Sequence, residues 1–350
     1  MIRHALFLIA FVGACASIAP RQASAIPVFA HRYGLSCQAC HTAVPHLSEF
    51  GEAFLERGYR LPGVEAKTVL PIAIKINLNY TSEPDASGLP RALVDEVELL
   101  TGGHVGRSGS YFAEAYVIDG GRPGAVRDAW YARRIGDVQV TAGQFTLALP
   151  VDPETFRETS AHYALYDQTV GANPFRFFDP KQGVSLESGG NALHATLALL
   201  GAHDPASGLR SNGVDRMIGV RSVRGALIAS AYRYDGTRPV VAGGDRFWRQ
   251  GIALAFVGPR LRLDATVQNG NDAGLRVRSS GGFLQARYAF TPELTGIVRY
   301  DGTSDTAFAR ALIVGASRRV ARNARFTLED QITHTSSAKH TLTAAYLFAY

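Results

Sequence analysis

From Leu70 onward the chain is a succession of segments in which apolar and polar residues alternate with a period of two, separated by Gly, Asp, Asn and Pro. Ile72, Ile74, Ile76, Leu78 and Tyr80 share one face of the first segment, and Ala73, Lys75, Asn77 and Asn79 share the other. Leu261, Leu263, Ala265 and Val267 oppose Arg262, Asp264, Thr266 and Gln268, while Leu284, Ala286, Tyr288 and Phe290 oppose Phe283, Gln285 and Arg287. A soluble sandwich and a membrane barrel both produce this alternation, and three features select the barrel. Segments of about nine to eleven residues match a tilted crossing of the hydrocarbon layer and exceed the strands of soluble sheets. Tight turns at Gly136-Asp137 and Gly258-Pro259 alternate with longer polar loops at Ala202 to Asn212 and Gly236 to Asp245, the short-periplasmic, long-extracellular pattern. The last segment, with Leu342, Ala344, Tyr346, Phe348 and Tyr350 on one face, resembles the C-terminal insertion signal of bacterial outer-membrane proteins. Segment starts near positions 70, 93, 109, 125, 138, 182, 191, 213, 225, 246, 260, 278, 293, 306, 323 and 339 predict a mainly β, antiparallel barrel of about sixteen strands enclosing a lumen.

Val151 to Gln182 breaks the rhythm with Asp152-Pro153, Asn173-Pro174 and Asp179-Pro180. Such an interruption is either an exposed loop or one that folds inward, bringing His162, Tyr163 and Tyr166 toward a lumenal group. Ahead of the strands, Leu47, Phe50, Phe54 and Leu55 recur at helical spacing, with Pro45 suited to the first turn and Gly58 to the stop.

The first 25 residues read as a removable secretory signal: Arg3, an apolar run from Ala5 to Val12, and small residues ending Ala23-Ser24-Ala25. Two of three cysteines lie beyond it, both in Cys37-Gln38-Ala39-Cys40-His41. In an exported chain a lone pair reads as a disulfide, and a zinc half-site is a further alternative; the adjacent histidine points instead to c-type haem attachment. Two thiols three residues apart on one helical turn reach two vinyl groups, and the next residue offers its imidazole to the iron as proximal ligand. Cys37, Cys40 and His41 are therefore the predicted haem-binding residues, with His41 the metal ligand. Met217 is the only methionine beyond the signal, and His31 and His46 are too near the motif to reach the opposite haem face. The iron is then five-coordinate or capped by a later histidine such as His104 or His162. Ile26 to about Ala66 is too short to fold alone and needs a host surface. The predicted organisation is a signal over 1–25, a monohaem cytochrome c segment over 26–68 acting as a plug, and a barrel over 69–350.

Composition changes the picture only at its edges. A chain of 350 residues that is 46% hydrophobic and 19% charged, with mean hydropathy near zero, folds. The net charge of +6 comes from scattered residues; only Lys67, Lys75, Lys181 and Lys339 are lysine, and no basic run exists, so nucleic acid is not an expected partner. No stretch beyond the signal approaches ~18 uncharged apolar residues, which excludes membrane helices but not a barrel. Inward arginines such as Arg262 and Arg287 either hold haem propionates, counter inward acids or are simply solvated by the lumen.

The run Phe29-Ala30-x-x-Tyr33-Gly34-x-Ser36-Cys37-x-x-Cys40-His41-Thr42-Ala43-x-Pro45-x-Leu47-x-x-Phe50-Gly51-x-x-Phe54-x-x-x-Gly58-Tyr59, followed by a porin-like barrel, resembles the fused monohaem cytochrome-porins. The best-known members of that family are outer-membrane iron(II) oxidases of iron-oxidising bacteria. The resemblance is motif-level over about thirty residues and architectural elsewhere. It implies one covalent haem c in an outer-membrane barrel, passing electrons from an extracellular donor such as Fe(II) to periplasmic carriers. Electron exchange at a haem edge needs no catalytic acid, base or nucleophile, and none is predicted. Two rival functions share these features: an anion-passing porin with a structural haem plug, and a soluble periplasmic cytochrome with a large β domain.

Overall fold

The computed structural model describes residues 27–43, 46–57, 59–61, 63–64, 72–84, 90–106, 108–151, 157–169, 173–190, 192–201, 213–240, 243–272, 277–304, 310–321, 323–334 and 338–349. The signal, Pro45, Gly58, Asp152-Pro153, Tyr350 and the loop Ala202 to Asn212 lie outside these residues. Sixteen long antiparallel strands close into a barrel: β1 Ile72–Pro84, β2 Pro90–Val105, β3 Gly109–Asp119, β4 Val126–Ile135, β5 Val138–Phe145, β6 Lys181–Gly190, β7 Leu193–Leu200 and β8 Asp215–Arg224. The circuit continues through β9 Leu227–Val240, β10 Gly243–Val257, β11 Leu261–Asp272, β12 Val277–Ala289, β13 Leu294–Thr303, β14 Arg310–Ala321, β15 Ala324–His334 and β16 Ala338–Ala349. A two-residue strand at Arg122–Pro123 pairs with the end of β3.

Closure is made by β16 against β1, from Thr343 opposite Thr81 to Ala349 opposite Lys75. The side-chain amide of Asn323 donates to the Ala349 carbonyl at 2.7 Å and ties down the end of the last strand. A closed sheet has no unpaired edge, so every wall carbonyl and amide can be satisfied away from water.

The alternation sorts charge inward and hydrocarbon outward. On β11, Arg262, Asp264, Thr266 and Gln268 are buried in the lumen, whereas Val267 is 56% exposed on the outer wall. Ile72, Ile74, Leu254 and Leu284 are likewise exposed apolar residues. A water-facing surface would not carry such a continuous apolar wall, and a lipid-facing one requires it.

The expected loop at Gly236 to Asp245 is instead strand. β9 and β10 run on until Val240 faces Gly243. Its charged residues Arg238 and Asp245 are lumen-facing: Arg238 is buried against Asp215, and the Asn173 side-chain amide donates to Asp245 at 2.8 Å. The N-terminal helix also starts later than Pro45 suggests, spanning Glu49–Glu56. Ser48 is its cap, in an extended conformation with its hydroxyl accepting from the Gly51 amide at 3.1 Å.

Residues 157–169 and 173–178 run through the lumen. Leu165, Tyr166, Phe175 and Phe177 are fully buried and pack with Leu147, Leu200, Met217, Tyr234 and Phe247 in one apolar cluster. Wall side chains hold the segment by its backbone. Glu329 accepts from the amides of Ser160 at 2.7 Å and Ala161 at 2.9 Å. Arg299 donates to the carbonyls of Ala161 and His162, and Arg249 to that of Gln168.

Candidate functional site

The N-terminal segment folds as α1 Pro27–Tyr33, α2 Cys37–Cys40, a ribbon pairing His41–Ala43 with His46–Leu47, and α3 Glu49–Glu56. The α2 turn places Cys37 and Cys40 three residues apart with His41 immediately following. For Cys37, His31 and His46 the side chains lie outside what the structure describes; Cys40 and His41 are half-buried.

One residue holds this turn. The Ser48 amide donates to the Cys40 carbonyl at 2.8 Å, its hydroxyl donates to the Ala39 carbonyl at 2.8 Å, and the same oxygen caps α3. α3 then crosses so closely that a Cβ at Gly51 would collide with the Cys40 carbonyl oxygen. The two elements are fixed as one unit although neither is long enough to be stable alone.

An aromatic layer attaches this unit to the inner wall. Phe54 is 3% exposed and packs edge-on against Phe29, Tyr33 and Tyr59, and lies parallel to Phe50. Phe29 stacks on Tyr59 at 4.1 Å between centroids, and Tyr59 stacks on Trp130 of β4 at 6.1 Å. Tyr59 holds a left-handed conformation (φ 61°), which a bulky residue adopts only under such packing. Gly102 of β2 leaves room for the Phe29 ring.

Polar contacts fix the height of the unit. His104 Nε2 lies 2.7 Å from the Tyr59 carbonyl and 3.2 Å from the Tyr33 hydroxyl, and that hydroxyl donates to the Tyr59 carbonyl at 3.1 Å. Burial pushes the Tyr33 hydroxyl pKa up, so it stays protonated as a donor. Arg60 donates to the carbonyls of Gly106 and Gly109 at the β2–β3 turn. Across the lumen, Glu52 lies 3.7 Å from Arg262, just after the turn at Gly258. The segment therefore sits at the short-turn end of the barrel.

A cavity of about 730 Å³ separates α3 from the facing wall. Leu47, Leu55, Leu149 and Val151 supply apolar lining, and Arg57 and Arg134 are exposed cations on it. Leu47 pairs with His41, and Glu52 and Ala53 of the lining follow the Gly51 contact with Cys40, so the cavity adjoins the Cys-x-x-Cys-His turn. Its size is that of a ligand site.

The remaining sequence candidates have other partners. His104 serves the Tyr33 and Tyr59 contacts. His162 pairs with Asp167 at 3.1 Å and stacks on Phe178. Tyr163 donates to Gln285 and lies under Arg299, and Met217 is inside the apolar cluster. Arg262 is bound to Asp264 at 3.0 Å and Arg287 to Glu158 at 2.7 Å, so both counter inward acids. The sequence reading missed Ser48, Arg249, Arg299 and Glu329. Ser48, directly ahead of Glu49 and the helically spaced apolar run, carried a helix-start signal; the other three show only their inward parity.

No protein-family model matches this chain, and neither does any curated protein. Solved structures do match. An anion-selective porin from Comamonas acidovorans is 12% identical, with a TM-score of 0.64 over 81% of this chain and 99% of that one. OmpF of Salmonella typhi, solved with daunomycin, is 10% identical, with a TM-score of 0.61 over 80% of this chain and 97% of that one. A loop-deletion mutant of OmpT, an outer-membrane protein of Vibrio cholerae, is 11% identical with a TM-score of 0.58. The fold is that of Gram-negative outer-membrane porins.

Proposed function

We propose that this porin-fold protein is an outer-membrane electron-transfer protein of the fused cytochrome-porin kind. It carries one covalent haem c and moves electrons between an extracellular donor, Fe(II) being the candidate, and periplasmic carriers. The observation that carries this reading is the Cys37-x-x-Cys40-His41 turn, fixed by Ser48 and Gly51 and mounted inside a barrel at its short-turn end.

The residues present fit a haem. The Cys37 and Cys40 thiols would attach the group and the His41 imidazole would bind its iron, a donor set of the right chemistry at one turn. The adjoining cavity has an apolar bed in Leu47, Leu55 and Leu149, and Arg57 and Arg134 are cations available to propionate carboxylates. When bound, the group supplies reversible one-electron exchange. The chain's own work is to hold and to insulate: Phe29, Phe54 and Tyr59 exclude water behind the turn, and the barrel wall carries it within a layer of ~30 Å of hydrocarbon.

The test is anaerobic proteoliposomes enclosing an electron acceptor. External Fe(II) should be oxidised by the native protein, and the Cys40→Ala variant should lose both the haem stain and that oxidation. Equal rates in the two would overturn the proposal. An anion-passing porin with a haem plug is the second reading, favoured by the Arg-lined cavity. It requires chloride flux that Cys40→Ala leaves unchanged, with no haem-dependent oxidation.

A further inference from the structure

The outer wall of β8 to β12 changes character along sharp rows. Strand register places Arg216, Asp235, Trp248, Asn271 and Arg278 in one row, each opposite the next. The neighbouring row toward the short-turn end is Ile218, Arg233, Gln250, Asn269 and Ser280. The row after that, Val220, Ala231, Ile252, Val267 and Gly282, has no polar side chain. These rows face outward, since Met217, Tyr234 and Phe247, which alternate with them, are buried in the lumen.

The cations are organised rather than scattered. Arg233 binds Asp235 through Nη2 at 2.8 Å and Nε at 3.0 Å, donates to Gln250 at 2.9 Å, and lies 4.8 Å from the Trp248 ring centroid. Arg216, its side chain 63% exposed, reaches the same carboxylate at 3.6 Å. Arg278 is exposed and has no ion pair among the described residues. Two arginines thus share one carboxylate and Arg278 adds a third cation in the same row, which leaves a basic patch where the apolar wall stops, on the side of the long connections.

We propose that this patch binds the phosphate groups of an anionic glycolipid in the outer leaflet. Planar guanidinium groups recognise phosphate in bidentate fashion, and Trp248 pre-orients one of them. Trp248 itself suits a headgroup-level position, and Asn269 and Asn271 offer amides to sugar hydroxyls. The continuous apolar rows directly beside the patch match acyl chains, which selects an amphiphile over free phosphate. A second copy of the chain would bring the same positive patch against it, which like charges oppose.

The test titrates the folded, delipidated full-length barrel with bisphosphorylated lipid A and counts bound lipid by native mass spectrometry. Native protein should retain lipid A, and dephosphorylated lipid A should bind at least tenfold more weakly. R216A/R233A/R278A should lose the same factor, whereas R318A on the outer wall of β14 should not. Heat-modifiable electrophoretic mobility verifies that each variant is folded; if the triple variant misfolds, R278A alone should still weaken binding severalfold. Equal binding of the two lipids, unchanged binding by folded arginine variants, or a change in oligomeric state without a change in lipid binding would each overturn the proposal.

Discussion

Gly51 has no side chain because α3 crosses α2 where the Cys40 carbonyl stands in its way. Gly51→Ala forces that overlap apart and should destabilise the N-terminal unit by ~1–3 kcal/mol, the usual range for overpacking. Faster proteolysis within residues 26–61 of an otherwise protected barrel is the expected readout. Ser48 acts on the same contact from the other side. Ser48→Ala removes the α3 cap and the bond to the Ala39 carbonyl, a loss of about 1–2 kcal/mol. On the proposed function it should also lower the fraction of chains that stain for haem, while Cys40→Ala abolishes staining. At this scale the Cys-x-x-Cys-His turn was legible because it is local, three residues at fixed spacing. Its mounting was not, because the Tyr59 stack on Trp130 and the Glu52 contact with Arg262 join residues far apart in the chain.

Among its described residues the lumenal segment has no regular structure beyond the short helix at Ala164–Asp167, so its position depends on the wall. Glu329 is 3% exposed and accepts two backbone amides from it. Glu329→Ala leaves both donors without that partner, at about 1–3 kcal/mol each. Increased cleavage between residues 157 and 178, with the barrel still closed by heat-modifiable mobility, is the expected outcome. Planar-bilayer conductance of that variant should rise as the segment leaves the lumen. The chain signalled this element by interruption: Asn173-Pro174 and Asp179-Pro180 forbid a regular ladder. Interruption alone left an outward course open. The inward course follows from Arg249, Arg299 and Glu329, which point at backbone groups of the segment from three separate strands.

At the scale of the molecule, the barrel is a charged interior wrapped in hydrocarbon. Leu254 is 64% exposed within the apolar rows of the outer wall, so Leu254→Arg should cost ~2–4 kcal/mol of stability in lipid, measured by urea titration in vesicles. The alternation fixed this inside-outside sorting before any tertiary contact, because side chains on a strand change face at every residue and one face must meet lipid. Strand number followed from the same rhythm, and the tight turn from Gly136-Asp137, where the structure has Gly136 at a φ of 60°. Polar composition misled between Gly236 and Asp245, where charge denotes the lumen rather than a loop. The sequence by itself thus determined the wall, its polarity and the Cys-x-x-Cys-His turn, all of which depend on neighbours a few residues apart. Only the tertiary structure decided where the turn sits, which arginines are consumed by inward acids, what fills the lumen, and that Arg216, Arg233 and Arg278 share one patch. Each of those depends on strand register and on closure of the sheet, which bring together residues separated by tens to hundreds of positions and leave no periodic trace in the chain.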